Sequence, residues 1–170
     1  MGFKQIKLIP SYNTSENDVV NEFYVPVLSK AVKYLRVSAY FSSKVFANLA
    51  TGLFHFARNN GKMKLIISEE ITEEDFTLIK SGYYYKTTLN DRLIKQLNEP
   101  TDEVDRIKLA NVAYLIANDL LDIKIAFKKE GTFHDKFGLF YDNENNIIYY
   151  RGSNNETEAA LKYNYEAFEI

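Results

Sequence analysis

A chain of 170 residues, 46% of them hydrophobic, is the size of one domain with a single core that buries about 70% of its unfolded surface. Its 21 Lys and Arg against 23 Asp and Glu leave a formal charge of -2, which excludes a globally basic nucleic-acid binder but not a local basic groove. Without Cys, disulfide scaffolds, thiol nucleophiles and cysteine-ligated zinc or iron–sulfur sites are excluded together, and the expected compartment is the cytoplasm.

In chain order, the opening MGFKQI has no apolar signal core, and Ile6 breaks the myristoylation pattern. Val20, Phe23, Tyr24, Val27, Leu28, Ala31, Val32 and Leu35 fall at helical spacing and predict an amphipathic helix, with Pro26 in its first turn or at a kink. Residues 36–41 predict a short strand, after which Ser42 and Ser43 offer N-cap hydroxyls to a helix carrying Val45, Phe46, Leu49, Leu53 and Phe56. Past the turn at Asn59, Asn60 and Gly61, residues 62–67 read as a buried strand, and Thr72 with Asp75 as the capping pair of the next helix. The stretch 81–100, with three consecutive tyrosines, is expected to be an insertion containing a short helix about Leu93 and Leu97.

Leu109, Val112, Ala113, Ile116 and Leu120 predict another amphipathic helix, and residues 122–127 a strand. The β-rich runs 134–141 and 147–150 flank a cluster of turn residues, 142–146, and predict a hairpin; a short helix near 156–162 and a strand over 165–170 follow. The expected fold class is α/β: one domain, 1–170, with a mixed, mostly parallel central sheet flanked by helices on both faces. No run approaches the roughly 18 apolar residues of a membrane span. No phosphate-cradling Gly-x-x-x-x-Gly-Lys-Ser/Thr loop occurs.

Residues 133–170 carry the chemistry. On a strand, His134 and Lys136 project from one side while Asp135 and Phe137 face away, which holds an imidazole beside an ammonium. The partner strand of the hairpin runs into Gly152, Ser153, Asn154 and Asn155, so a hydroxyl and an amide, both anion donors, arrive near them. Glu166 falls on the next strand, where a carboxylate close to an imidazole fixes its tautomer and favours its charged form.

His134-x-Lys136, Gly152-Ser153-x-Asn155 and Glu166, eleven residues further on, resemble the HKD motif of the phospholipase D superfamily, in particular its bacterial endonuclease branch. HDKFGLF, GSNNET and NYEAFEI, with FYVPVLSKA, AYFSS and KMKLIIS upstream, are similar to the N-terminal phospholipase D-like domains fused to DEAD/DEAH-box helicases. The chain departs from that pattern at one point: the superfamily commonly has an Asp five residues after the Lys, where this sequence has Tyr141, with Asp142 one later. A hairpin one residue longer accounts for it. The resemblance gives that Asp a structural role, and Asp142 is not counted with the site.

The resemblance implies a phospholipase D-like fold and a two-step phosphodiester transfer on nucleic acid, DNA foremost, through a phosphohistidine intermediate. His134 is the nucleophile, and Lys136, Asn155 and Ser153, with Gly152 shaping the turn, bind the non-bridging oxygens. No cofactor and no metal are expected, and two His without Cys agree with that. Two such motifs make one site, so a single His-x-Lys motif implies a homodimer with a shared active site. A helicase motor domain in the full-length protein is the other implied partner, and this chain is then its N-terminal fragment. A membrane is not a partner.

Two other functions compete: a catalytically silent nucleic-acid-binding or dimerisation module, against which the intact His134, Lys136, Asn155 and Glu166 speak, and a lipid phosphodiesterase, which lacks a membrane-binding segment here. His55, between Phe54 and Phe56 on a helix, reads as a packing residue. Glu69, Glu70, Glu73, Glu74 and Asp75 read as first-turn acids that complement a helix dipole rather than metal ligands. Tyr83, Tyr84, Tyr85 and Lys86 read as structural rather than base-stacking, and Lys124, Lys128 and Lys129 as protection of an edge strand or a phosphate path.

Overall fold

The computed structural model of the chain describes residues 2–68, 72–93, 112–126 and 133–170. Its strands are β1 (Ser11–Asn13), β2 (Ala31–Ser38), β3 (Lys62–Ser68), β4 (Leu121–Ala126), β5 (Phe137–Asp142), β6 (Ile147–Gly152) and β7 (Ala167–Glu169). They form one seven-stranded sheet in the order β1-β7-β6-β5-β2-β3-β4. The helices are α1 (Val25–Leu28), entered through a π-helical turn at Val20–Tyr24, α2 (Val45–Asn48), α3 (Ala50–Arg58), α4 (Glu73–Leu93), α5 (Val112–Ala117) and α6 (Glu158–Lys162). Among the described residues no helix is long and apolar enough to cross a membrane.

The sheet is mixed, as expected, but the expectation that it is mostly parallel is corrected. Among the described strands, parallel pairing is confined to β2–β3 and β3–β4, where helices make the crossovers that parallel strands need. The strands after residue 133 follow one another through short connections and pair antiparallel: β5 with β6, β6 with β7, β7 with β1, and β5 with β2.

The helix expected from Val20 ends at Leu28, and Ala31, Val32 and Leu35 belong to β2. Ala31, Val32 and Leu35 are all buried or half-buried, because β2 lies inside the sheet and a register shift falls between Ala31 and Lys33, so their apolar spacing matches a helical one. Helix α2 starts without the serine caps; instead the Ser43 amide donates across the structure to Asp75 Oδ1 at 3.0 Å. Thr72 and Asp75 cap α4 as expected, with the Asp75 amide donating to Thr72 Oγ at 3.1 Å.

Helix α4 runs unbroken through residues 81–93 of the segment expected as an insertion; residues 94–100 lie outside the described residues. Tyr83 is structural: its hydroxyl donates to Asp122 Oδ1 at 2.7 Å and accepts from the Ile123 amide at 2.9 Å, and burial first, then the bond to Asp122, pushes its pKa up to about 12. Glu69, Glu70, Leu97, Leu109, Phe127, Lys128 and Lys129 lie outside the described residues.

The core is an aromatic stack across β2, β5, β6 and β7. Tyr34 and Phe140, register partners, lie 4.1 Å apart between centroids at 6°, and Phe140 stacks in turn on Tyr150 at 5.7 Å. Phe23 meets Phe140 and Tyr150 edge-on from the π turn. Gly138 makes this possible, because a Cβ there would enter the Tyr150 ring, 2.6 Å from Cζ.

Asp142 closes the β5–β6 hairpin. Its carboxylate accepts from the amides of Phe3, Glu144 and Asn146 at 2.7, 2.9 and 2.8 Å and from Asn146 Nδ2 at 2.8 Å. Burial works against its charge, but the Asn146 side chain and these three amides outweigh burial and hold its pKa below the ordinary value. A carboxylate lowered in the folded state stabilises above its unfolded pKa, and that stability is lost as pH falls through the lowered one. Asp142→Asn is therefore expected to cost about 1.5–3 kcal/mol at neutral pH, with the gap to the parent closing under acid. Urea titrations at pH 7 and pH 3 measure it; a pH-independent gap contradicts the assignment.

Candidate active site

The C-terminal end of β2, the approach to β5, the exit of β6 and the approach to β7 meet at one end of the sheet, through the pairs Val37–Phe137, Phe137–Arg151 and Gly152–Phe168. The six sequence candidates sit here, on the segments leading into and out of these strands. His134 and Lys136 precede β5 rather than lying on it, which corrects the expected strand placement. Their adjacency survives the correction. The His134 side chain is exposed, Lys136 is 6% exposed, and Lys136 Nζ lies 3.1 Å from His134 Nδ1, 3.2 Å from Nε2 and 3.1 Å from the His134 carbonyl oxygen. Nζ is nearly equidistant from the two ring nitrogens, so the ammonium lies against the imidazole as a whole.

Among the described residues Lys136 forms no ion pair. Burial pulls its pKa below the ordinary lysine value; the Glu166 carboxylate opposes the shift, and the Arg36 guanidinium adds to it. The ammonium therefore sits within the fields of both groups.

The turn after β6 brings the second half. The Lys136 carbonyl accepts from the Gly152 amide at 3.4 Å, extending the β5–β6 ladder to the turn. Ser153 Oγ donates to Glu166 Oε2 in a very short contact and accepts from the Ala167 amide at 3.1 Å, so its proton is committed to the carboxylate. Glu166, 9% exposed, makes its other side-chain bond with Asn164 Nδ2 at 3.5 Å. The expected Glu166–imidazole contact is thus not made within the chain, because β6–β7 pairing sets Glu166 against Ser153.

Asn155 does not cap the following helix; Thr157 does, accepting from the Ala160 amide at 3.2 Å. Asn155 Oδ1 accepts instead from the Tyr40 amide at 3.1 Å, which turns its Nδ2 into a donor without an acceptor among the described residues. Tyr40 closes the circle, its ring 6.2 Å from the His134 ring at 82°.

Sequence reasoning missed Tyr40, Arg36, Asn154 and Glu156. Arg36, Asn154 and Glu156 are almost fully buried beneath the site. The available signal was phase: Arg36 alternates with Tyr34 and Ser38 on a strand, which puts a charge on the core face. His55, expected to pack, is exposed on α3, with its ring edge-on to Phe54 at 5.5 Å. Among the described residues no group of three or more His, Asp or Glu is placed to hold a metal ion.

Comparison with protein-family models gives no match, and neither does comparison with curated proteins. Among solved structures, the chain is similar to Nuc from Salmonella typhimurium, a phospholipase D family member: identity is 14% over 93% of this chain and 78% of that one, with a TM-score of 0.49. NucT from Helicobacter pylori is 15% identical over 93% of this chain and 83% of that one, TM-score 0.47. Yeast tyrosyl-DNA phosphodiesterase is 9% identical over 82% of this chain, TM-score 0.46, and the chain spans 25% of its length.

Proposed function

We propose that the chain is a phospholipase D-type phosphodiesterase that acts on nucleic acid without a metal ion. The observation that carries this reading is a buried ammonium that forms no ion pair among the described residues and is held against an imidazole. Burying an unpaired cation is costly, and an anionic ligand offsets that cost. Asn155 Nδ2 supplies a second, neutral donor. Phosphate oxygens fit this pair of donors, and the role that metal ions take in many phosphoryl-transfer enzymes falls to Lys136.

His134 then attacks phosphorus through its free lone pair, a P–N bond forms as the P–O bond to the leaving group breaks, and a second imidazolium protonates the departing oxygen. Water attacks the phosphohistidine in the second step and restores the imidazole. The second imidazolium comes from His134 of another copy of the chain, since His55 lies on α3 without a neighbouring Lys-Asn pair.

The direct test is hydrolysis of bis-para-nitrophenyl phosphate and of single-stranded and duplex DNA in excess EDTA. Turnover is expected to persist with the chelator; activity lost in EDTA and regained with magnesium overturns the metal-free reading. Adding a fourfold excess of His134→Ala subunits to the parent is expected to suppress its activity well below simple dilution, because mixed dimers hold only one imidazole. A strictly monomeric protein by light scattering that still cleaves diesters refutes the shared site.

A further inference from the structure

Arg36 on β2 stands opposite Gly138 on β5, which faces Tyr150 on β6. With no side chain at Gly138, the Tyr150 ring reaches across the row and lies 5.2 Å from the Arg36 guanidinium carbon. Arg36 Nε donates to Glu156 Oε2 at 2.8 Å and Nη2 to the Asn154 carbonyl at 2.5 Å, the two side chains of the ion pair being 0% and 3% exposed. Burial opposes the charge of Arg36, but Tyr150, Tyr34 and Glu156 outweigh it and hold its pKa above the ordinary arginine value.

The turn is gripped from both sides. Asn154 Nδ2 donates to the Tyr24 hydroxyl at 2.5 Å. The Glu156 amide donates to Ser38 Oγ at 2.7 Å, the Ser38 hydroxyl donates to the Tyr40 carbonyl at 2.7 Å, and the Glu156 carbonyl accepts from the Ser42 amide at 3.0 Å. Between these two fixed residues is Asn155, held by the Tyr40 amide. Replacing a buried ion pair by apolar groups of similar size is often neutral or stabilising, so stability alone does not explain this one.

We propose that Arg36 and Glu156 are positioning residues: their buried ion pair sets the height of the Gly152–Glu156 turn so that the Asn155 carboxamide meets the same phosphate as Lys136 and His134. This rests on the phosphodiesterase reading above. The pair touches no substrate; it acts through Asn154 and Asn155, and its charge reaches Lys136 as well.

The test measures bis-para-nitrophenyl phosphate hydrolysis, inhibition by inorganic phosphate and thermal melting for the parent, the double variant Arg36→Met/Glu156→Leu, and Ser38→Ala, which keeps the pair but unties Glu156 from Tyr40. The double variant is expected to melt near the parent or above it while kcat falls about 10²-fold and the inhibition constant of phosphate rises about tenfold, as for a misplacement on the scale of 1 Å. Ser38→Ala is expected to lose about tenfold in kcat at temperatures where it is fully folded. A stable double variant with the parent's kcat and phosphate inhibition overturns the proposal; if that variant does not fold, Ser38→Ala with the parent's kcat does so. A parent without turnover sinks the phosphodiesterase reading and this inference with it, whereas an active parent with an equally active double variant sinks only this inference.

Discussion

His134→Ala is expected to lower kcat for diester hydrolysis by about 10³-fold or more while leaving the melting curve in place. The side chain is exposed and, among the described residues, meets the Tyr40 ring and the Lys136 ammonium, so its removal opens no cavity. Lys136→Met is expected to lose about 10²–10³-fold in kcat, since developing charge on the phosphate oxygens then has no cation. Its effect on stability runs the other way. Burial lowers the Lys136 pKa, so below that pKa the folded protein carries a charge it disfavours, and the thioether removes the penalty. The expected pair of results for Lys136→Met is an unchanged or raised Tm with lost turnover. A lowered Tm with normal turnover would show that Lys136 is a structural residue.

Gly152→Ala is expected to cost about 3 kcal/mol or more and to remove activity with it. A Cβ at Gly152 would overlap the Ala167 carbonyl oxygen and lie 2.5 Å from Phe168 Cα, both backbone atoms of β7. No rotamer change relieves a clash with backbone, so β7 has to leave β6, taking Glu166 from Ser153. Urea denaturation and turnover on the same preparation measure both effects; a variant as stable as the parent shows that β7 docks less closely than described. Gly138→Ala makes a useful contrast, because the atoms it meets belong to the Tyr150 side chain.

The sequence made the local elements of the site legible, and its long-range neighbours illegible. The β5–β6 hairpin, the strand at 62–68 and the Thr72–Asp75 cap could be read because turn residues and alternation act within a few positions. The placement of β2 could not, since Ala31, Val32 and Leu35, on an interior strand with a register shift, continue the helical spacing of Val27 and Leu28. β1 was missed altogether: three residues with one buried side chain, Tyr12, carry no periodic signal, and the strand exists only because β7 lies beside it. Within the site, His134, Lys136 and Ser153 announced themselves by residue type and spacing. Glu166 was placed near the right turn but against the wrong partner, since which of two close polar groups a carboxylate meets is decided by strand pairing. Arg36 and Glu156 were invisible as a pair because 120 positions separate them in the chain.

That separation bears on how the protein folds as well as on how it works. The hairpin and its Asp142 turn need only local closure, whereas β2 must find β5 across about a hundred residues, and Tyr40 must find Asn155 across 115. Long loops close at an entropic cost that is met before their contacts repay it, and topologies dominated by such contacts fold slowly. The imidazole and ammonium of 134–136 can come together early; the Asn155 donor joins them only once the slowest strand has docked. Refolding followed by turnover is thus expected to lag behind refolding followed by hairpin protection in hydrogen exchange, which makes enzymatic activity a reporter of the last event on the pathway.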